Sequence, residues 1–310
     1  MKYTYVDELR LNSKNRQQLV MINQVVEKYQ RQGYRLSLRQ LYYQLVTMNI
    51  IQNEKKEYAK LSTLLTKGRM AGVVDWDAIE DRLRKPYIPY WVKDRKHALQ
   101  DTINQYRLNR MEGQPNYLEV WVEKDALSEV LKRSTNPYHV RVMVNRGYSS
   151  TSAMHDAFQR FHTELQDGNC EKAVILYLGD HDPSGMDMVR DIRERIKLFF
   201  WGVMKDEYDQ DEFDSWFEEH FEVVRIALNG DQIKQYNPPP NPAKFSDPRA
   251  TNYIREHGRQ SWEVDALPPE VLHGLVKANI LKRIDLDLYN ALVKKEKEDC
   301  IFLKEIMSIK

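Results

Sequence analysis

Ile175-Leu176-Tyr177-Leu178-Gly179-Asp180-His181-Asp182-Pro183-Ser184-Gly185 is the stretch on which the fold of this chain turns. It lies in and just beyond an apolar run, Ala173 to Leu178, with the length and composition of a buried strand. Gly179, Pro183 and Gly185 break that run, so a tight turn follows it. Asp180 and Asp182 then sit at the carboxyl end of a strand, the edge at which open α/β sheets bind ligands. Two carboxylates at i and i+2 across a turn suit a hard cation such as Mg²⁺, which takes one or two protein carboxylates plus substrate phosphates. The same residues also suit a polar turn whose Asp side chains cap a helix starting at Met186.

Upstream, Tyr117 to Val122 also reads as a strand, rich in aromatic and β-branched residues. It runs into Glu123, and Lys124-Asp125-Ala126-Leu127 begins a helical pattern. Two strands that each end in acid and each lead into a helix predict an α/β fold, with a parallel sheet flanked by helices. Glu123, Asp180 and Asp182 would converge on one sheet edge as a divalent metal site, with Glu123 also placed to move a proton.

Val122-Glu123-Lys124-Asp125-Ala126 and Asp180-His181-Asp182-Pro183-Ser184-Gly185 resemble, in order and spacing, two motifs of the Toprim domain. They resemble more narrowly those of the topoisomerase VI A subunit and the related meiotic double-strand-break protein, Val-Glu-Lys-x-Ala and Asp-x-Asp-Pro-x-Gly. Arg146-Gly147-Tyr148 resembles the Gly-Tyr element between them, and Trp262-Glu263-Val264-Asp265-Ala266-Leu267 a C-terminal element of such proteins. Glu263 and Asp265 are candidates for outer metal-shell or base groups, or for plain capping and surface charge.

The front of the chain has its own character. Residues 1–115 hold 21 Lys+Arg against 12 Asp+Glu, an excess of +9, and the remainder 26 against 34, or −8. A basic front suggests a polyanion partner. Helical spacing runs from Lys14 to Arg31, with Gly33 as the stop, and Ser37 suits an N-cap for Leu38 to Met48. A third helix is expected from Glu54 to Met70, closed by Gly72. Two short helices about a polar turn read as helix-turn-helix or as a generic bundle; Lys56, Lys60, Lys67 and Arg69 suit phosphates in the first case.

Within the second helix, Arg39-Gln40-Leu41-Tyr42-Tyr43 resembles the Arg-x-(aliphatic)-Tyr-Tyr segment of the CAP-like winged-helix domain in the topoisomerase VI A family. That resemblance points to Tyr43 as the nucleophile that attacks a DNA phosphodiester and to Arg39, one turn earlier, as its activator. A phenol with a pKa near ~10 needs such a neighbouring cation. Tyr42 is the competing choice, and two half-buried helix tyrosines the plain structural one.

The rest of the chain gives less. Asp75 suits an N-cap for a helix through Ile79 and Leu83, ended by Pro86 and Pro89; Gly113 and Pro115 mark a boundary. Two domains are expected, a winged-helix (CAP-like) DNA-binding domain at 1–113 and a Toprim domain with a C-terminal helical extension at 114–310. A helix is expected after Asp182, through Met186 to Leu198, and another from Asp206 to Glu219, then a strand from Phe221 to Leu228 with Arg225 near its end. Asn237 to Pro248 reads as an extended loop, with Lys244, Asp247 and Arg249 in and after it suited to DNA; helices from Val271 to Ile284 and Asp285 to Ile306 close the chain. No apolar run reaches transmembrane length and the N-terminus shows no signal-peptide core. Cys170 and Cys300 lack metal spacing, which fits a reducing cytoplasm.

The resemblance covers about Ser37 to Leu267. It implies a cytoplasmic, nucleoid-associated enzyme of prokaryote or phage type that breaks double-stranded DNA with Mg²⁺ (Mn²⁺ in its place). Such proteins act as homodimers, with the tyrosine of one subunit meeting the metal site of the other. No Gly-rich ATPase motif is visible, so strand passage would need a separate ATPase subunit. The chain departs from that family in being short and in carrying Tyr43 so near the N-terminus. Two rivals are a Toprim nuclease that hydrolyses DNA with metal-activated water and a non-catalytic DNA-binding subunit.

Overall fold

The computed structural model describes residues 2, 4–6, 11–79, 89–145, 147–166, 168–243 and 247–308. Its front is a three-helix unit. Helix α1 (Ser13–Arg31) is capped by the Asn12 side chain, which accepts from the Asn15 N–H at 2.8 Å. It buries Leu19, Ile22, Val25, Val26 and Tyr29, the stripe expected of its spacing. Helix α2 (Leu38–Thr47) opens with a reciprocal capping box between Ser37 and Gln40. Helix α3 (Lys55–Met70) packs so close to α1 that a Cβ at Gly68 would meet Leu19 at 2.7 Å.

The helix expected through Ile79 is instead a single 3₁₀ turn, Trp76–Ala78. Asp75 does cap it, accepting from the Asp77 N–H at 2.8 Å. Ile79 then turns extended to bridge with Leu36, which ends the turn; Leu83 and Pro86 lie outside the described residues. Helix α4 (Arg95–Gln105) follows, capped by Asp94.

The rear is an α/β sandwich. Strand β1 (Asn116–Val122) leads to α5 (Ser128–Thr135), β2 (Arg141–Val144), α6 (Thr151–Gln166) and β3 (Lys172–Leu178). Next come α7 (Pro183–Met204), α8 (Gln210–His220), β4 (Phe221–Ala227) and α9 (Gly230–Tyr236). Strands β1 to β4 make one all-parallel sheet in the order β2-β1-β3-β4, with Val122 level with Leu178 and Val144. Strand β2 had no sequence forecast; at four residues it is too short for a periodic signal. Helix α7 starts at Pro183, directly after Asp182 as expected, because Asp182 caps it, taking the Gly185 N–H at 2.7 Å; it runs on past Leu198 to Met204.

A short hairpin pairs β5 (Asn241–Pro242) with β6 (Gln260–Ser261) across α10 (Ala250–His257), within and after the expected extended loop. Helices α11 (Pro269–Leu281) and α12 (Leu286–Ser308) close the fold. Among the described residues no helix is long and apolar enough to cross a membrane.

Side chains alternate across the sheet with period two. Tyr117, Trp121, Ala173, Ile175 and Tyr177 face α6, α7 and α8, where they meet Phe158, Phe161, Ile192 and Phe217. Leu118, Val120, Val122, Val174, Leu176 and Leu178 face the other way, into a cluster shared with α5, α11 and the whole front unit, Tyr43 included. The front helices and the sheet thus share one continuous core. At the other end of the molecule, Tyr106 and Arg110 bond Asp299 and Glu296 of α12, which seats the α4–β1 connection on the rear of the chain.

Candidate active site

The Asp180–Gly185 turn is held from behind. The Arg225 guanidinium of β4 donates to the carbonyls of Gly185 at 2.7 Å, Gly179 at 2.9 Å and Leu228 at 3.3 Å, and also to that of Asp180. Gly185 is needed because a Cβ there would come within 2.2 Å of the Asp180 carbonyl oxygen. His181 is buried under Tyr253, its Nδ1 2.9 Å from the Tyr253 hydroxyl, and pairs backbone to backbone with Trp262. That pairing brings the Trp262–Leu267 element across the strand ends.

The two acids of the turn have different partners. Asp182 Oδ1 accepts from the Gly185 N–H and, at 3.1 Å, from Ser184 Oγ, so the helix-capping reading holds for it. Asp180 Oδ1 accepts from the Val264 N–H at 2.9 Å and pairs with Lys124 Nζ at 2.8 Å. Burial first, and then the nearby Glu123 and Asp265 carboxylates, push Asp180 up to about 7 against the pull of Lys124. Glu123 continues the face of β1 that carries Tyr117 and Trp121; Lys124 continues the opposite face, towards α2. Tyr177 and Arg225 both feel the charges of Glu123, Asp180 and Asp182, so the three acids do gather at one sheet edge.

Lys124 is the centre of the opposite face. Its ammonium lies 2.8 Å from Asp180, 2.8 Å from Glu263 and 3.1 Å from Asp265. Despite burial, these three carboxylates hold its pKa well above the usual lysine value. Arg39 of α2 joins the same acids, pairing with Glu263 and, at 3.1 Å from Nε, with Asp265. Burial opposes ionisation of Glu263, yet Lys124 and Arg39 bring it down to about 2.

Tyr43, one turn after Arg39, is only 4 % exposed. Its hydroxyl lies beside the Glu263 carboxylate, whose pKa it helps to lower, and beside the Asn241 side chain. Burial and the two carboxylates raise its own pKa well above the usual phenol value, outweighing Arg39, which sits 5.9 Å from the ring centre. Tyr42 is differently employed: its hydroxyl donates to Asn53 Oδ1 at 3.0 Å, in the turn before α3. The Asn53 amide donates in turn to Pro240 and Asn241, closing the turn onto the β5 hairpin.

A cleft of about 490 Å³ opens between the two halves, lined by Arg39, Tyr43, Tyr58, Asp182, Trp262 and Glu263 among others. Beyond Asn53 a second cavity of about 810 Å³ follows α1 and the α2–α3 turn. A third, of about 490 Å³, runs between α1 and α3 beside Lys14, Lys60 and Lys67. Lys60 is largely exposed and pairs with Glu57 at 2.7 Å. Arg69 does not join them: it stacks 4.3 Å from the Trp76 ring centre and donates to the Trp76 carbonyl at 3.1 Å. Lys244 and Arg146 lie outside the described residues, and Arg249 is engaged by Asp247 and Asp187.

The donor chemistry suits Mg²⁺, since all three strand-end acids offer hard oxygen. Their arrangement is not a ready ligand shell, and among the described residues no three acidic, histidine or cysteine side chains surround one metal point. Lys124, Arg225 and Asn53 are the site residues that sequence reasoning passed over. Lys124 is extended, φ −108° and ψ 125°, so the helical pattern expected to begin there starts one residue later, as a 3₁₀ turn at Asp125. No family model, curated protein or solved structure matches this chain.

Proposed function

We propose that this chain is a divalent-metal-dependent enzyme that breaks DNA strands, with Tyr43 and Arg39 acting on a backbone phosphate held in the interdomain cleft. The observation that carries this reading is the meeting, in one cleft, of an Arg–Tyr pair from α2 with Asp182 of the sheet edge and with Glu263, whose neighbour Asp265 also pairs with Arg39. The lysine-edged cavities along α1 and α3 offer a path for the strand, as phosphate contacts require. The motif resemblance to the winged-helix and Toprim parts of the topoisomerase VI A family points the same way. Glu123, Asp180 and Asp182 would hold Mg²⁺, which when bound supplies positive charge beside the phosphate.

The chain's own residues do the rest. Arg39 is half-exposed and turns its guanidinium from Glu263 and Asp265 to a phosphate in the cleft, where two N–H groups face the non-bridging oxygens. Tyr43 Oη attacks phosphorus as its proton passes to the Glu263 carboxylate. A phosphotyrosyl bond forms, one P–O ester bond breaks, and the departing sugar oxygen takes up the proton that Glu263 received from Tyr43. The Arg39–Tyr43 pair lies against Glu263 and Asp265 of its own chain, which supports a site built within one chain. Strand passage would still take a separate ATP-hydrolysing partner.

A hydrolytic reading is favoured by one observation, the buried Tyr43 hydroxyl with its raised pKa. In that case water replaces tyrosine as nucleophile, and Tyr43 only packs beside Glu263. The deciding experiment incubates end-labelled duplex DNA with protein and Mg²⁺ or Mn²⁺, stops it with detergent, and looks for protein joined to DNA. A covalent adduct lost in Tyr43→Phe supports the tyrosine route. Cleavage without adduct, unchanged in Tyr43→Phe, selects hydrolysis. No cleavage under either metal, with DNA binding intact, removes both.

A further inference from the structure

We propose that the Lys124 ammonium is a tethered second cation of this site, taking with Asp180, Glu263 and Asp265 the seat that a second divalent ion would occupy. This rests on the metal-dependent reading above only for the first ion; the seat itself is defined by the protein. An ammonium has three protons, and here three carboxylates from two separate segments meet it at 2.8, 2.8 and 3.1 Å, one for each proton. Asp265 is fully buried and Asp180 nearly so, so water cannot solvate their charge. Compensation must come from a cation within the fold.

Charge decides how many cations fit. Asp180, Glu263 and Asp265 carry at most three negative charges, and Lys124 and Arg39 return two. The remaining single negative charge is too little to draw in a divalent ion, which would also have to expel the ammonium. Without Lys124 the deficit becomes two, the charge of one such ion, among hard oxygen donors it prefers. The two seats share Asp180 and part beyond it: the Glu123 charge acts on Tyr177, while Lys124 reaches Glu263 and Asp265, the acids that pair with Arg39 of α2. The cleft is therefore flanked by a place for one exchangeable ion and by one cation that belongs to the chain. Lys124 is a positioning residue in this account, since it acts by fixing Glu263 and Asp265 against Arg39 and Tyr43.

The test counts ions rather than turnover. Mn²⁺ binding is measured by electron paramagnetic resonance and by calorimetry on wild type, Lys124→Met and Lys124→Arg. Lys124→Met is expected to bind one Mn²⁺ more than wild type, at least tenfold more tightly than any second ion on wild type. Lys124→Arg is expected to keep the wild-type number. The extra ion should vanish in Lys124→Met combined with Asp265→Asn. If Lys124→Met does not fold in chelator, Mn²⁺ should restore its folding, and failure to restore it would overturn the proposal. Equal stoichiometry in wild type and a folded Lys124→Met would overturn it as well. A wild type that binds no Mn²⁺ while Lys124→Met binds one supports the tethered cation and removes the metal-dependent cleavage reading.

Discussion

Replacing Arg225 by methionine tests the scaffold behind the acids. Its guanidinium donates to four carbonyls, those of Gly179, Asp180, Gly185 and Leu228, and these span the ends of two strands and the first turn of α7. Methionine matches the length of the stem and removes every donor. Hydrogen bonds from a charged group are worth about 1.5–3 kcal/mol each, but four on one side chain are not additive and the carbonyls near the cleft regain some water. Arg225 also sets positive charge behind Glu123, Asp180 and Asp182, so its loss leaves those carboxylates less compensated. Together these place the expected cost at about 3–5 kcal/mol, in the range for breaking one partner out of a buried network. Lysine keeps the charge but has three donors in another geometry, and should cost about half as much. Urea unfolding followed by far-UV circular dichroism reads the loss, and Mn²⁺ titration reads the geometry of the turn. A methionine variant within about 1 kcal/mol of wild type, with unchanged Mn²⁺ affinity, would refute the claim that Arg225 sets the turn.

Four further outcomes follow from the same geometry. Asp182→Asn should keep the α7 cap and fold within about 0.5 kcal/mol of wild type yet lose metal-dependent cleavage, whereas Asp182→Ala should also lose about 1 kcal/mol in thermal unfolding. Mixing Tyr43→Phe with Asp180→Asn protein should give no rescue of cleavage, because in each chain Tyr43 lies against Glu263, which shares Lys124 with Asp180 of the same chain; nicking restored by mixing would show a shared site. Lys60→Ala with Lys67→Ala should weaken binding to all duplexes alike and reduce the slope of log affinity against log salt by about 1.8, measured by fluorescence anisotropy. In chelator, His181, held down to about 4 from 6.5 by burial and by His257 and Arg225, contributes stability above pH 6.5 that is lost as pH falls to 4. Asp180, raised from 3.8 to about 7, contributes stability at low pH that is lost over almost the same window as pH rises. The two oppose each other, so Asp180→Asn should unmask a gain of about 3 kcal/mol between pH 4 and 6.5 that wild type lacks in denaturant melts.

What the sequence made legible follows from the range of its signals. The strands ending at Val122 and Leu178, the caps at Ser37 and Asp75 and the apolar stripe of α1 are local patterns, and each stands where its pattern put it. Helix α7 begins directly after Asp182, where the cap draws Pro183 into the first turn. Arg39 and Tyr43 were singled out, but nothing local reveals that they meet Glu263 and Asp265. That contact depends on a bridge between His181 and Trp262, which sets a distant segment across the strand ends. Lys124 and Arg225 were hidden for a related reason, since a lone basic residue announces no partner until the fold supplies one.

Arg39 and Glu263 stand 224 positions apart in the chain. On the ribosome, the helix with the tyrosine and the turn with the paired acids both emerge long before the segment that joins them. A nascent chain that stops short of Trp262 has an Arg39 with neither carboxylate to orient it and a Lys124 with one acid in place of three. The cleft thus cannot assemble before the Trp262–Leu267 segment has been made. If the chain has the proposed DNA-cleaving activity, a product that stops before Trp262 lacks the acids that orient Arg39 and Tyr43.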